Sequence, residues 1–291
     1  MTSGSGLVVV DKPADWTSHD VVGKLRRLAR TRRVGHAGTL DPMATGVLVI
    51  GVEKATRLLG HLALTEKGYD GTIRLGQTTN TDDAEGEITA SASAAAVTDE
   101  ALHAGIAKLT GEIQQVPPQV SAIKVNGERA YKMARKGEEV ELKARPVTIH
   151  DFTVKEIRRD GDLIDLDVSI ACSSGTYIRA LARDLGADLG CGGHLTALRR
   201  TRVGPYDLSM ARTIEQLTEE FAILPMAEAV AAAFPRRDVT EDDARKVMHG
   251  GKLPAAGLGP GPVGVFAPDG TLLALVEEQG HAAKPLAVFV P

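Results

Sequence analysis

Aromatic residues are scarce: Phe, Trp and Tyr make up 3% of the 291 residues, with one Trp. Any ring presented in a cleft is therefore a rare resource. Cysteine is scarcer still. Cys172 and Cys191 form neither a C-x-x-C pair nor a zinc-like spacing. They read as buried, reduced thiols of a cytosolic protein, with Cys172 a packed thiol and not a nucleophile. No apolar run is long enough to cross a membrane; the most alanine-rich stretch, 222–234, is interrupted by Pro225 and Glu228. The brief run 7–10 ends at Asp11 and Lys12 and does not read as a signal peptide. A net charge of -4 argues against a protein that coats nucleic acid indiscriminately. Phosphate-cradling glycine motifs are missing, and the acidic stretch 77–87 lacks the spacing of a calcium loop.

What is present is ordinary globular composition, 43% hydrophobic and 25% charged, enough for one large domain and a small one. The charge is uneven. Residues 17–33 carry Lys24, Arg26, Arg27, Arg30, Arg32 and Arg33 against Asp20, while 207–243 carry nine acids against three arginines. Local basic patches on an acidic chain suit a selective polyanion partner. Residues 6–10 read as a strand. Residues 17–30 read as a helix capped by Thr17 or Ser18, with Val21, Val22, Leu25 and Leu28 on one face. Alternation predicts a strand at 67–76 with Tyr69, Gly71, Ile73 and Leu75 on the core face. Strands at 147–157 and 163–171 join through the turn 159–162, and helices are predicted at 99–109 and 236–252. Residues 263–276 read as a hairpin about Pro268-Asp269-Gly270, and 285–290 as a last strand.

One stretch, 34–59, organises the rest: V-G-H-A-G-T-L-D-P-M-A-T-G-V-L-V-I-G-V-E-K-A-T-R-L-L. Gly35 and Gly38 favour turns, with His36 between them. Asp41 is fixed in direction by Pro42, because the residue before a proline is pushed away from helical dihedrals. An apolar run, 47–52, follows as a buried strand, and 53–60 has helical spacing with a closing glycine. A lone Asp-Pro usually starts a helix. Here the carboxylate stands at the rim of a core element, as an active site requires. A second charged residue is out of place. Arg179 falls in the first turn of a helix beginning near Thr176, where the helix dipole disfavours a cation, so it wants a compensating acid.

The string G-H-A-G-T-L-D-P-x-A-T-G-V-L resembles the signature of the TruB family of tRNA pseudouridine synthases. Segments 67–76, 172–186 and 192–204 resemble further family motifs. The resemblance implies an α+β fold: a mixed, mostly antiparallel sheet with flanking helices, plus a small C-terminal PUA-like β module. It implies a catalytic domain at 1–225, with an RNA-binding thumb inserted at about 124–146 and poorly ordered without RNA, and the module at 226–291. The implied reaction turns uridine into pseudouridine at position 55 in the TΨC loop of tRNA, with no metal or other cofactor. Asp41 would be the nucleophile. Arg179 would pair with it and keep it ionised. Tyr69 would pack on the flipped base, His36 would stack in the opened loop, and Leu198 would contact the base. Arg199, Arg200 and Arg202 would meet phosphate, and Lys12 would pack beside the site. His194 reads as a loop or capping residue, and Tyr177 as core. The implied protein is a cytoplasmic monomer whose partner is the tRNA stem-loop, with no membrane and no obligate protein partner. Two alternatives remain: a guide-RNA-dependent pseudouridine synthase, or a module that binds and folds tRNA without catalysis.

Overall fold

A computed structural model describes residues 4–119, 124–125, 128–129 and 142–290. The insert expected at about 124–146, with Tyr131, lies largely outside the described residues. So does the expectation that it is poorly ordered.

The chain forms two compact parts, one made of Met1–Leu40, Val47–Ala63 and Val203–Pro291, the other of Asp41–Gly46 and Leu64–Arg202. In the first part, β1 (Gly6–Lys12) lies between the short strand Leu224–Pro225 and β3 (Thr45–Val52), and β2 (Val34–Ala37) pairs antiparallel with β3. Val8, Val10, Leu48 and Ile50 face one cluster, with Val21, Val22 and Leu25 of α1 (Ser18–Leu28). Leu7, Val9, Val47 and Val49 face another, with Leu58, Tyr206, Met226 and Val230. Both faces of β1 and β3 are covered, which is why their sequences are continuous apolar runs and not alternating ones. Thr17 caps α1 in a capping box with Asp20.

The C-terminal module belongs to this first part. Its sheet runs Arg236–Asp238, Pro262–Phe266, Leu272–Gln279, Ala282–Val288 and Leu253–Pro254 in spatial order. It is the small PUA-like β module expected. Phe266, Leu272, Leu275 and Phe289 share the apolar cluster of β1 and β3, so the module is packed in and does not hang free. The helix expected at 236–252 starts only at Glu241 and ends at Met248. Arg236–Asp238 is instead drawn into the sheet by parallel pairing with Gly264–Phe266. Residues 53–58 form a 3-10 turn that passes into a helix at Leu59–Ala63, so Gly60 lies inside the helix and does not close one.

In the second part the start of β3 pairs with β8 (Gly193–Val203), followed by β4 (Lys67–Leu75), β7 (Leu163–Cys172), β6 (Arg145–Asp160) and β5 (Gly111–Gln115). The β4–β7, β7–β6 and β6–β5 pairs are antiparallel and β8–β3 is parallel. The fold is therefore α+β with a mixed, mostly antiparallel sheet, as expected. In β7, Ile164, Leu166, Val168, Ile170 and Cys172 are buried in strict alternation, the pattern of a strand with one covered face. Helices Asp99–Lys108 and α2 (Ile178–Asp188) flank the sheet.

Candidate active site

Asp41 sits in a turn closed by a hydrogen bond from the Ala44 N–H to its own carbonyl, 3.1 Å. Two glycines make the turn possible. Gly38 adopts φ +79°, in the left-handed region. Gly46, at φ +97°, lies against β8 so closely that a Cβ would stand 2.2 Å from the Arg200 carbonyl oxygen. The backbone after Asp41 is thus pressed onto β8 where only glycine fits. No helix follows Pro42, so the Asp41 carboxylate is not used as a cap.

It faces Arg179 instead. The arginine is in the first turn of α2, as expected, and is 5% exposed. Its Nε lies 3.0 Å from Asp41 Oδ2, and its Nη2 donates to Asp41 Oδ1 at 3.3 Å. The same guanidinium is held from the other side: Nη1 donates to the Thr81 carbonyl at 2.8 Å and lies 3.3 Å from Asp83 Oδ2. Asp83 is buried, and its Oδ1 accepts from the Thr81 hydroxyl at 2.6 Å and from the Glu85 N–H at 3.1 Å. Every element of this arrangement restricts Arg179 to one orientation. Asp41 alone remains partly open, its side chain 34% exposed. A carboxylate held by a buried cation and open on one side can act as a nucleophile or base.

Tyr69 is buried on the inward face of β4 and hydrogen-bonds Arg200. Burial pushes its phenol upward, against the pull of Arg200, so it is a neutral ring at physiological pH. Gly71, on the same strand, lies close to β8: a Cβ there would stand 3.0 Å from the Ala197 carbonyl oxygen and 3.6 Å from Leu198 Cδ1. Leu198 is buried on β8. Lys67 shares the inward face with Tyr69, is 6% exposed, and donates to the Thr65 carbonyl at 2.9 Å. Burial, aided by the Arg200 charge, lowers it to about 8. Cys172 is raised to about 11, chiefly by burial, and so stays a thiol.

The three arginines expected at phosphate are placed differently from one another. Arg200 is 1% exposed and directed at Tyr69, not outward. Arg199 donates to the Thr45 hydroxyl at 3.2 Å, and Arg202, more open, lies 3.5 Å from Glu66. His194 is not a loop or cap; it is buried in β8 with a ring nitrogen 3.1 Å from the Gln77 carbonyl oxygen. His36 and Lys12 belong to the first part of the chain. His36 is in a strand, opposite Ile50, and not in a glycine turn; its ring meets that of His19 edge-on at 5.7 Å. Lys12 is fully buried and donates to the Pro13 and Trp16 carbonyls at 2.8 and 2.6 Å, a packing role.

Sequence reasoning missed Asp83, having read 77–87 as an acidic loop and not a metal site. The signal was available: a first-turn arginine beside one acid already called for more negative charge. Lys67 was also passed over. Among the described residues, no group of three His, Cys, Asp or Glu is arranged to hold a metal.

Comparison with known proteins fits this geometry. Residues 26–178 match the TruB family pseudouridylate synthase N-terminal domain, 179–231 the tRNA pseudouridylate synthase B C-terminal domain, and 234–290 the tRNA pseudouridine synthase II C-terminal domain. The chain belongs to the TruB family of pseudouridine synthases. It is 64% identical over 288 residues to tRNA pseudouridine synthase B of Thermobifida fusca (strain YX), covering 98% of each chain. Against the enzyme of that name from Mycobacterium ulcerans (strain Agy99) it is 56% identical over 292 residues, covering 99% of this chain and 96% of that one. A solved chain from a Cbf5-Nop10-Gar1 complex is 28% identical with a TM-score of 0.76, covering 98% of this chain and 85% of that one. As a TruB-family pseudouridine synthase the chain is an enzyme, and its class is the isomerases.

Proposed function

We propose that the chain, acting alone, isomerises uridine to pseudouridine at position 55 in the TΨC loop of tRNA, with Asp41 as the nucleophile. The observation that carries this reading is the Asp41 carboxylate, fixed on one side by buried Arg179 and open on the other. The curated relatives, at 56–65% identity over nearly the whole chain, are tRNA pseudouridine synthases by name, which supports tRNA as the substrate.

The reaction conserves every atom of uridine. The N1–C1′ glycosidic bond breaks, the uracil turns while held, C5 bonds to C1′, the C5 proton leaves, and the freed N1 takes up a proton, so the composition is unchanged. Attack at C1′, addition at C6 and removal of the 2′ proton all begin from a carboxylate in the place of Asp41. None of these atoms is within reach while the base is stacked, so the target nucleotide must flip out, at a cost of a few kcal/mol that is least in a loop. Contact with the neutral Tyr69 ring and with Leu198 offsets that cost. Base–aromatic stacking contributes about 1–3 kcal/mol. Tyr69, protonated at physiological pH, serves as a surface and not as a base. His36 stacks within the opened loop, and Arg199 and Arg202 meet phosphate. Residues 1–225 form the catalytic domain and 226–291 a module that extends the RNA contact. The protein works as a cytoplasmic monomer.

A guide-RNA-dependent reading has one observation in its favour, the structural likeness to the Cbf5 chain. That likeness comes at 28% identity, against 64% over nearly full length for the bacterial enzyme. Incubating an unmodified tRNA transcript with the purified chain alone separates the readings. The expected product is pseudouridine at position 55. A product formed only after a guide RNA or protein partner is added would overturn the stand-alone reading.

A further inference from the structure

The first turn of α1 holds Leu40, the residue before Asp41. Ser18, the first helical residue after the Thr17 cap, is 1% exposed. Its hydroxyl reaches 22 positions along the chain and makes two hydrogen bonds to one residue: it accepts from the Leu40 N–H at 2.9 Å and donates to the Leu40 carbonyl at 3.1 Å. Leu40 is itself buried, and the next residue is Asp41. The carbonyl that Ser18 holds belongs to the peptide bond leading into Asp41. One rotatable hydroxyl thus fixes both polar groups of the residue before the carboxylate. The other end of the loop is touched by the same turn, where His19 meets His36 edge-on.

A serine at the start of a helix ordinarily serves the helix, as a cap. That task is already taken here by Thr17, whose hydroxyl accepts from the Asp20 N–H at 3.1 Å while Asp20 closes the capping box. Ser18 is engaged elsewhere, on the N–H and C=O of a buried residue, two polar groups that are costly to leave unsatisfied. Pro42 restricts Asp41 from the C-terminal side and Gly46 presses the following backbone onto β8, while the Ser18 bonds hold the chain on the N-terminal side.

We infer that Ser18 is a positioning residue for Asp41: by clamping the Leu40 peptide it sets the direction in which the carboxylate leaves its turn. The inference rests on the reading of Asp41 as the nucleophile. Its signature is a loss of turnover without a loss of tRNA binding, because displacing a reacting group by about 1 Å can lower a rate about 100-fold while leaving remote contacts intact.

The test compares Ser18→Ala, Ser18→Cys and Thr17→Ala with the parent enzyme, measuring single-turnover pseudouridine formation on a tRNA transcript, tRNA affinity and melting temperature. Ser18→Cys keeps the shape and weakens the hydrogen bonds, so it reports even if Ser18→Ala does not fold. Thr17→Ala removes the helix cap and leaves the clamp. Both Ser18 variants should lower the single-turnover rate by about 10- to 100-fold with tRNA affinity within about twofold. Thr17→Ala should lower the melting temperature and keep its rate. Full rates in both Ser18 variants, or rate losses in all three variants that follow only their melting temperatures, would overturn the inference. Asp41→Asn, assayed beside them, keeps the two readings apart. An inactive Asp41→Asn with fully active Ser18 variants sinks this inference alone, whereas an active Asp41→Asn sinks the nucleophile reading whatever Ser18 does.

Discussion

Charge is handled in opposite ways by the Asp41 cluster and the C-terminal module. Around Arg179 one cation is shared by two carboxylates and a carbonyl, and cation and Asp83 are both nearly sealed from solvent. In the module, Arg245 pairs with Asp242 and Lys246 with Asp243 on one exposed helix face, and Arg236 pairs with Asp238 two residues away. These pairs connect near neighbours in sequence and lie in water, where such contacts contribute about 0–1 kcal/mol. The Arg179 contacts join residues 98 and 138 positions apart. The number of charges is therefore no guide to where chemistry occurs. What distinguishes a site is a charge that burial and several distant partners together hold in one place.

The contrast can be broken most forcefully at Arg179. Arg179→Met leaves buried Asp83 without its cation, and breaking a buried pair costs about 3–5 kcal/mol. Pseudouridine formation should fall by more than ~100-fold, because Asp41 loses the group that orients it. A chain that kept both its melting temperature and its rate would show that the buried cluster is no more consequential than the surface pairs.

Lys67 sharpens the comparison through pH. Its folded value of about 8 lies below its ordinary 10.5, so between those values the folded chain holds fewer protons than the unfolded one and gains stability as pH rises. Below about 8 the cost of burying the cation is fully present. Lys67→Met should therefore be more stable than the parent at neutral pH, by up to ~3 kcal/mol, with the advantage shrinking between pH 8 and 10.5. Denaturant melts across that range check it. An advantage independent of pH would mean that packing, not charge, is responsible.

Smaller effects are expected at Arg199 and Arg202. If both meet phosphate, replacing both with Gln should flatten the salt dependence of tRNA binding, by up to ~0.7 in log–log slope per phosphate no longer neutralised on single-stranded RNA. An unchanged slope removes them from the interface. Smallest of all, Asp243→Ala in the module should change stability by no more than ~0.5 kcal/mol, since the Lys246 pair it breaks is a surface one. A larger change would erase the distinction between the two regions.

Much of this contrast could be read from the amino-acid sequence. An arginine badly placed for its helix dipole called for an acid, and the resemblance named Asp41 as that acid. Alternation in 67–76 put Tyr69 on the buried face, where it is. The failures have physical causes. Arg200 was expected at phosphate from the resemblance, although it is two residues from Leu198 on the same strand and so shares its inward face. His36 was assigned to a turn because glycines flank it, yet Gly35 serves close packing: a Cβ there would stand 3.0 Å from Leu59. Asp83 was hidden in an acidic loop because burial of one acid among several depends on contacts with a helix about 100 residues away. The helix expected from Arg236 lost its first residues to a strand partner that local pattern cannot reveal.

The claim on which all of this depends is that the Asp41 carboxylate performs the isomerisation. Asp41→Asn keeps nearly the same shape and removes the charge. Measured on an unmodified tRNA transcript, it should bind with affinity within about threefold of the parent, well under 1 kcal/mol, and form no pseudouridine. Turnover within about tenfold of the parent would contradict the account.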